Sequence, residues 1–272
     1  FMIRKLREAG AIVLAKTNMA EWALSPRQSI SSSFGRTANA YDVNHVPAGS
    51  SGGTASGVAA SLGVAGMGSD TGNSIRGPSS HLALFGIRST LGLTSRDGVI
   101  PLSFDRDIAG PMTRTVEDGA RLFNVIADYD PSDPLTVPNR REDNYLDFLN
   151  ADGLEGKRLG VLRVLVDQDG ADPEIKEIFA RTLGELEAAG AEIVDPFAIT
   201  DFEALSDAIP FCPRFRYDVA QYFATLENPP LTDVNEVLET GQIADATRGS
   251  FSFYAAAPLD IPPDEWETPC PT

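Results

Sequence analysis

From Ala48 to Ser61 a single residue, Val58, is larger than threonine. A helix of such residues, read over Thr54 to Val64, has no bulky stripe with which to bury itself. It gains dispersion contacts by approaching its neighbours closely, so it belongs at the centre of a fold. Two Gly/Ser segments flank it: Pro47-Ala-Gly-Ser-Ser-Gly-Gly53 and Gly66-Met-Gly-Ser-Asp-Thr-Gly72. Glycine allows main-chain N–H groups to reach a ligand, and loops of this kind form anion nests or oxyanion holes.

Around this centre the pattern alternates between helix and strand. Residues 1–10 read as the end of an amphipathic helix closed by Gly10, and Ala11 to Ala15 as a short buried strand. Leu84 to Leu93 and Val99 to Leu102 read as short apolar strands or turns around Asp97-Gly98, a hairpin-type signal. Thr115 caps a helix that runs to Ala127. Residues 128–153 cluster Asp, Pro and Asn and read as a surface connector. A strand over Arg158 to Val166 follows. Then comes a helix capped by Asp172-Pro173, with Ile175, Ile178, Phe179, Leu183 and Leu186 on one face. Gly190 ends it before a strand at Ala191 to Val194. From Tyr254 the tail is Pro-rich and expected to be poorly ordered.

Charge separates the halves. Residues 1–120 hold 11 Lys+Arg against 9 Asp+Glu, whereas residues 121–272 hold 11 against 30. Such an acidic second half argues against nucleic acid or an anionic membrane as partner. No apolar run reaches the length of a membrane-spanning helix. Cys212 and Cys270 are too few for a disulfide scaffold, and His45 and His81 leave little for a transition-metal centre.

Three readings of the Gly/Ser loops follow from the residues themselves. A phosphate loop requires Gly-Lys-Ser/Thr, and neither loop has a lysine there. A Ser-His-Asp hydrolase has His81 available, seven residues after Ser74, but no Gly-x-Ser-x-Gly elbow. Both loops also read as plain tight turns.

Several ordered motifs carry a more specific signal. They are Lys16-Thr-Asn-Met-Ala-Glu-Trp22, Pro47 to Gly53, Gly68-Ser-Asp-Thr-Gly-Asn-Ser-Ile-Arg76, Gly92 to Pro101 and Asp107 to Thr115. Together they resemble the amidase signature family, strongly over residues 1–127 and less so to about residue 200. The resemblance implies an α/β fold with a mixed central sheet covered by helices on both faces, incomplete at both ends. The chain divides in this reading into a signature core at 1–127, the connector at 128–153 and a second α/β portion at 154–272. It further implies an amide hydrolase with a Ser–cisSer–Lys triad. Ser74 would be the nucleophile and Ser50 the bridging serine, with its peptide bond cis. Backbone N–H groups of Thr71, Gly72, Asn73 and Ser74 would hold the oxyanion, and Ser51, Asp70 and Arg76 would support the loops.

Two departures matter. Asn73 stands where the family commonly has glycine. The family's catalytic lysine lies in an apolar-Lys-Asp segment farther upstream of the bridging serine than this chain extends. Lys16, 34 positions before Ser50, matches a separate element. The expectation is therefore an internal piece of a longer amidase in which no lysine amine reaches Ser50. No cofactor and no metal are expected. The expected partner is a small-molecule or peptide amide, with no nucleic acid and no membrane, a homodimer left open, and a cytoplasmic location favoured. Two alternatives stand beside this reading. One is a glutamine-dependent amidotransferase A-type subunit that passes ammonia to a misacylated transfer RNA through a partner. The other is a non-catalytic truncated remnant.

Overall fold

In the computed structural model, residues 1–207 and 214–266 are described. The elements in chain order are α1 (Met2–Glu8), β1 (Ile30–Ser31), β2 (Gly35–Arg36), α2 (Gly52–Ala59), β3 (Ala65–Asp70), α3 (Arg76–His81), β4 (Phe85–Gly86) and β5 (Ile108–Thr113). They continue with α4 (Val116–Ile126), β6 (Arg158–Gly160), α5 (Arg163–Val166), α6 (Pro173–Ala188), β7 (Glu192–Val194), α7 (Phe202–Asp207), α8 (Phe215–Ala224), α9 (Asn235–Thr240) and α10 (Asp245–Ala255). The chain is mixed α/β and separates into two units, Phe1–Tyr145 with Cys212–Thr272, and Leu146–Phe211. Among the described residues no helix is long and apolar enough to cross a membrane.

The first unit is organised by the sheet β3-β5-β4, antiparallel throughout. Side chains alternate along a strand, so Ala109 and Met112 of β5 face opposite sides. Ala109 packs with Met2 and Leu6 of α1 and Phe123 and Ile126 of α4. Met112 packs with Ala55 of α2 and with Ile75 and Leu82 around α3. Helices therefore cover both faces, as the expected fold class requires.

The small residues act as the sequence suggests. A Cβ on Gly66 of β3 would lie 2.2 Å from Thr54 of α2, and one on Gly53 would lie 2.1 Å from the Asn18 carbonyl. Helix and strand meet at backbone distance because nothing stands between them. The helix itself is shorter than read, Gly52–Ala59, and the chain turns at 60–63.

A second core joins the distant end of the chain to the first unit. Phe215, Val219 and Phe223 of α8 and Phe251 and Ala255 of α10 enclose Leu24, and Trp22 packs edge-on against Phe215 and Phe251. The region after Tyr254 is therefore not wholly loose: Tyr254 packs against this core and Ala257 is buried. Cys212 and Cys270 lie outside the described residues.

Segment 128–136 departs from a surface connector. Asp130, Asp133 and Thr136 are buried. Asp133 accepts Arg96 Nη2 at 2.6 Å, Arg96 Nε at 3.0 Å and the Arg96 N–H at 2.8 Å. The Arg96 guanidinium lies 4.0 Å from the centre of the Phe104 ring. Burial made this polar stretch necessary, since each buried carboxylate must find donors.

Other expectations fail locally. Ala11 to Ala15 forms no strand and is exposed, Ile12 to 84%. A strand needs a neighbour for its N–H and C=O groups, and among the described residues none pairs with it. Around Asp97-Gly98 there is a turn but no hairpin, and the 84–93 strand shrinks to β4. In the second unit the strand read to Val166 ends at Gly160, and Arg163–Val166 is helical. There β6 pairs parallel with β7, and α6 connects them, capped by Asp172 with Pro173 at its first turn. No residue of α6 is buried, and Ile175 is exposed.

Candidate functional site

The site lies where α2 begins and β3 ends. Ser51 N-caps α2, while Asp70 is the last residue of β3. The Gly49–Ser50 peptide is cis. The two loops are stitched together on either side of their serines. The Ser51 N–H donates to the Ser74 carbonyl at 3.3 Å, and Asn73 Nδ2 donates to the Gly49 carbonyl at 3.5 Å and to Pro26 O at 3.3 Å. These bonds join the two loops, and Ser50 and Ser74 are both buried. Ser50 Oγ is fully buried with no hydrogen-bond partner among the described residues. An orphaned hydroxyl in such a place is costly unless another group completes it.

Ser51 has a different task. Its Oγ donates to Ser69 O and accepts the Ser69 N–H, each at 3.3 Å, which ties the start of α2 to β3. Ser29 Oγ bonds the carbonyls of Ala48 and Ser50 at 3.1 Å and accepts the Gly52 N–H, holding the loop from behind.

Asp70 supports the 71–76 loop from within. It is fully buried and accepts the N–H groups of Ile75 at 3.0 Å and Arg76 at 3.1 Å. The Arg76 guanidinium bonds it through Nε and Nη2, each at 3.2 Å, and also reaches the Gly72 carbonyl at 2.6 Å. Burial pushes the Asp70 carboxyl up, but Arg76 and the two N–H groups outweigh it and hold it below the usual carboxylate range. The loop thus closes over a carboxylate that stays ionised. Among the described residues, the N–H groups of Gly72, Asn73 and Ser74 donate to no protein acceptor. Unpaired main-chain donors such as these can hold a negatively charged oxygen.

Two residues that sequence reasoning passed over belong to this shell. Arg88 donates to the Asp70 carbonyl at 2.5 Å and to Arg106 O. Asp107 accepts from the Thr71 hydroxyl at 2.5 Å. Both come from segments remote in sequence, and β5, paired with β3 on one side and β4 on the other, brings them near. Asp107 also borders a cavity of about 370 Å³ walled by Arg96, Val99, Phe104, Arg214 and Tyr222.

The charged candidates lie elsewhere. Lys16 is exposed. Lys5 pairs with Asp128 at 2.7 Å. Lys157 and Lys176 belong to the other unit. His81 is exposed, and its Nδ1 faces Val46 O at 3.3 Å rather than a serine.

Comparison with known proteins places this geometry among relatives. The family model described as Amidase matches residues 1–241. The chain is 37% identical over 220 residues to the A subunit of a glutamyl-tRNA(Gln) amidotransferase from Prochlorococcus marinus, covering 81% of this chain and 42% of that protein. It resembles the crystal structure of an amidase family protein from Bacillus anthracis (TM-score 0.85, 31% identity), covering 98% of this chain and 54% of the other. It likewise resembles the native peptide amidase from Stenotrophomonas maltophilia (TM-score 0.82, 33% identity), with 96% and 56% covered. The chain spans about half the length of the relatives it matches.

Proposed function

Because the chain belongs to the amidase signature family, we propose that it carries the nucleophile and oxyanion parts of a carboxamide hydrolase. The observation that supports this most is the stitching of the two loops. It joins the loop that carries a buried Ser50 hydroxyl, lacking any partner among the described residues, to the loop that carries Ser74 and three free N–H groups.

In this reading Ser74 Oγ attacks the carboxamide carbon. The oxyanion forms against the N–H groups of Gly72, Asn73 and Ser74, with Thr71 closing the turn. The Ser74 proton passes to Ser50 Oγ and on to a base. The nitrogen leaves as ammonia or amine after taking up that proton. Water then hydrolyses the acyl-enzyme by the same relay in reverse. The base is proposed to be a lysine amine upstream of residue 1. Its entry would satisfy the orphaned Ser50 hydroxyl, and a lysine buried there would have its pKa lowered toward a useful range. Ser51, Asp70 and Arg76 position the loops and touch no reacting atom.

A second reading has its own support. Several curated relatives at 35–37% identity, from Prochlorococcus, Desulfatibacillum and Acinetobacter, are glutamyl-tRNA(Gln) amidotransferase A subunits. In that reading the same serines release ammonia from glutamine for transfer within a larger assembly. The peptide-amidase reading is favoured by backbone likeness. The TM-score is 0.82 at 33% identity to the peptide amidase, against 0.68 at 31% to the amidotransferase A subunit of Thermotoga maritima.

The test uses the intact protein. Fluorophosphonate should label Ser74, and Ser74→Ala should abolish both labelling and amide turnover. Labelling at Ser69 or Ser79, or full activity in Ser74→Ala, would refute the assignment. Glutamine hydrolysis that appears only with a second protein bound would select the second reading.

A further inference from the structure

The strands β3 and β5 pair with a fixed register in which Asp70 lies opposite Ile108 and Ala65 opposite Thr113. Continuing that register by one residue sets Thr71 opposite Asp107. There the sheet ends and the nucleophile loop starts. At this junction the ladder is replaced by a side-chain bond, Thr71 Oγ1 to Asp107 Oδ1 at 2.5 Å. The other carboxylate oxygen accepts the N–H groups of Leu102 at 2.8 Å and Ser103 at 3.0 Å. Asp107 is buried. Burial pushes its carboxyl up from the usual range, against the pull of Thr71, Ser103 and Leu102.

The loop from 71 to 76 therefore hangs between two buried carboxylates. Asp70 holds the downstream limb through the Ile75 and Arg76 N–H groups. Asp107 holds the upstream limb through one hydroxyl. The other donors to Asp107 come from its own neighbourhood, residues 102 and 103. Together with Arg88, which bridges the carbonyls of Asp70 and Arg106, that bond ties the 102–107 turn to the free N–H groups that follow Thr71.

We propose that Asp107 is a positioning residue that acts through the Thr71 hydroxyl to set the placement of the Gly72–Ser74 N–H groups. The inference rests on the reading of Ser74 as nucleophile. A donor seat must match the oxyanion to a fraction of an ångström, and a misplacement of about 1 Å costs on the order of 100-fold in rate. Removing the Thr71 hydroxyl leaves the packing of Thr71 nearly unchanged but frees the upstream limb.

The experiment compares the intact wild-type protein with Thr71→Val, Thr71→Ser, Asp107→Asn and the double variant Thr71→Val/Asp107→Asn. Three quantities are measured: the rate of Ser74 labelling by a fluorophosphonate, kcat and KM on a carboxamide that the wild type hydrolyses, and the thermal midpoint. Thr71→Val should lower the labelling rate and kcat by about 10- to 100-fold, with KM within about threefold. Thr71→Ser should keep both within about threefold, since the hydroxyl is retained. The double variant should be no slower than the slower single, because both substitutions act on the one bond. Should Asp107→Asn fail to fold, the Thr71 pair carries the test. A wild-type protein that takes no label at Ser74 overturns the proposed function and this inference with it. A labelled wild type whose Thr71→Val variant labels at the same rate, or a Thr71→Ser as impaired as Thr71→Val, overturns this inference alone.

Discussion

Replacing Arg96 by methionine should be among the most damaging single changes in the first unit, although Arg96 touches neither serine. The pair with Asp133 is nearly dry, with side-chain exposures of 4% and 3%. Breaking such a pair by removing one partner costs about 3–5 kcal/mol, because a carboxylate is left in a low-dielectric site. For a chain of this size each kcal/mol lowers the melting point by about 2–4 °C, so Arg96→Met should lower it by roughly 6–20 °C. Asp133 would keep the N–H groups at positions 96 and 135, which is why the loss stays near the lower half of that range. The double variant Arg96→Met/Asp133→Asn should be more stable than Arg96→Met alone, by about 1–2 kcal/mol, since it leaves no uncompensated charge. Acid should shrink the difference. Burial raises the Asp133 carboxyl, but Arg96 and its neighbouring N–H groups overcome this and hold it below the usual range. A carboxyl depressed in the folded state contributes its stabilisation above its unfolded value of about 3.9, and loses it as the pH falls through the folded value. The deficit of Arg96→Met should thus be full at neutral pH and fade below about pH 4. Thermal and urea unfolding at a series of pH values measure it. A deficit under about 1 kcal/mol at neutral pH, or one that grows on acidification, would refute the reasoning.

Glycine substitutions in α2 should diverge. Gly57→Ala meets nothing within 4 Å and should stabilise by about 0.5–1 kcal/mol through helix propensity. Gly53→Ala meets the Asn18 backbone and should cost about 1–3 kcal/mol or more, both read by urea unfolding. Ser50→Ala should lower kcat by about 10²- to 10⁴-fold, the scale of positioned proton transfer. Ser51→Ala should cost about 1 kcal/mol of stability and far less activity, because its hydroxyl serves β3. In the isolated 272-residue chain, Ile12→Thr with Leu14→Thr should reduce self-association measured by light scattering while changing stability by less than about 0.5 kcal/mol per site.

The parts legible in the sequence are those whose cause is local. Thr115 and Asp172 cap their helices through their own side chains, accepting from Asp118 N and Glu174 N as their spacing suggests. The close packing of the Gly/Ser segments was legible because glycine leaves room that nothing else does, as at Gly53 and Gly66. What stayed hidden was set by partners far along the chain. Ala11 to Ala15 has every local mark of a buried strand, but burial needs an opposing surface, and the described residues offer none. Nothing local to Leu24 tells that α8 and α10 enclose it from more than 190 positions away. Asp107 opens one of the family-like motifs and Arg88 belongs to none, and neither, 33 and 14 positions beyond Ser74, carries a local sign of contact with its loop. Their relation to the loop is a property of sheet register, which no single segment encodes.

The pairing of β3 with β5 has a consequence for how such a chain tolerates change in length. Each residue of 65–70 is matched to one of 113–108, and the 71–76 loop starts at the next step. An insertion or deletion of one residue inside either strand would turn the packed side chains to the wrong face and carry Ser74 away from Ser50. The chain between α2 and α3 is in effect a ruler with no slack. The turn joining β1 to β2, exposed at Ser33 and Phe34, is free of this constraint. Length variation among natural and engineered versions should therefore collect at sites like 32–34 and be absent from 65–76, and a library of single-codon deletions would draw that map directly.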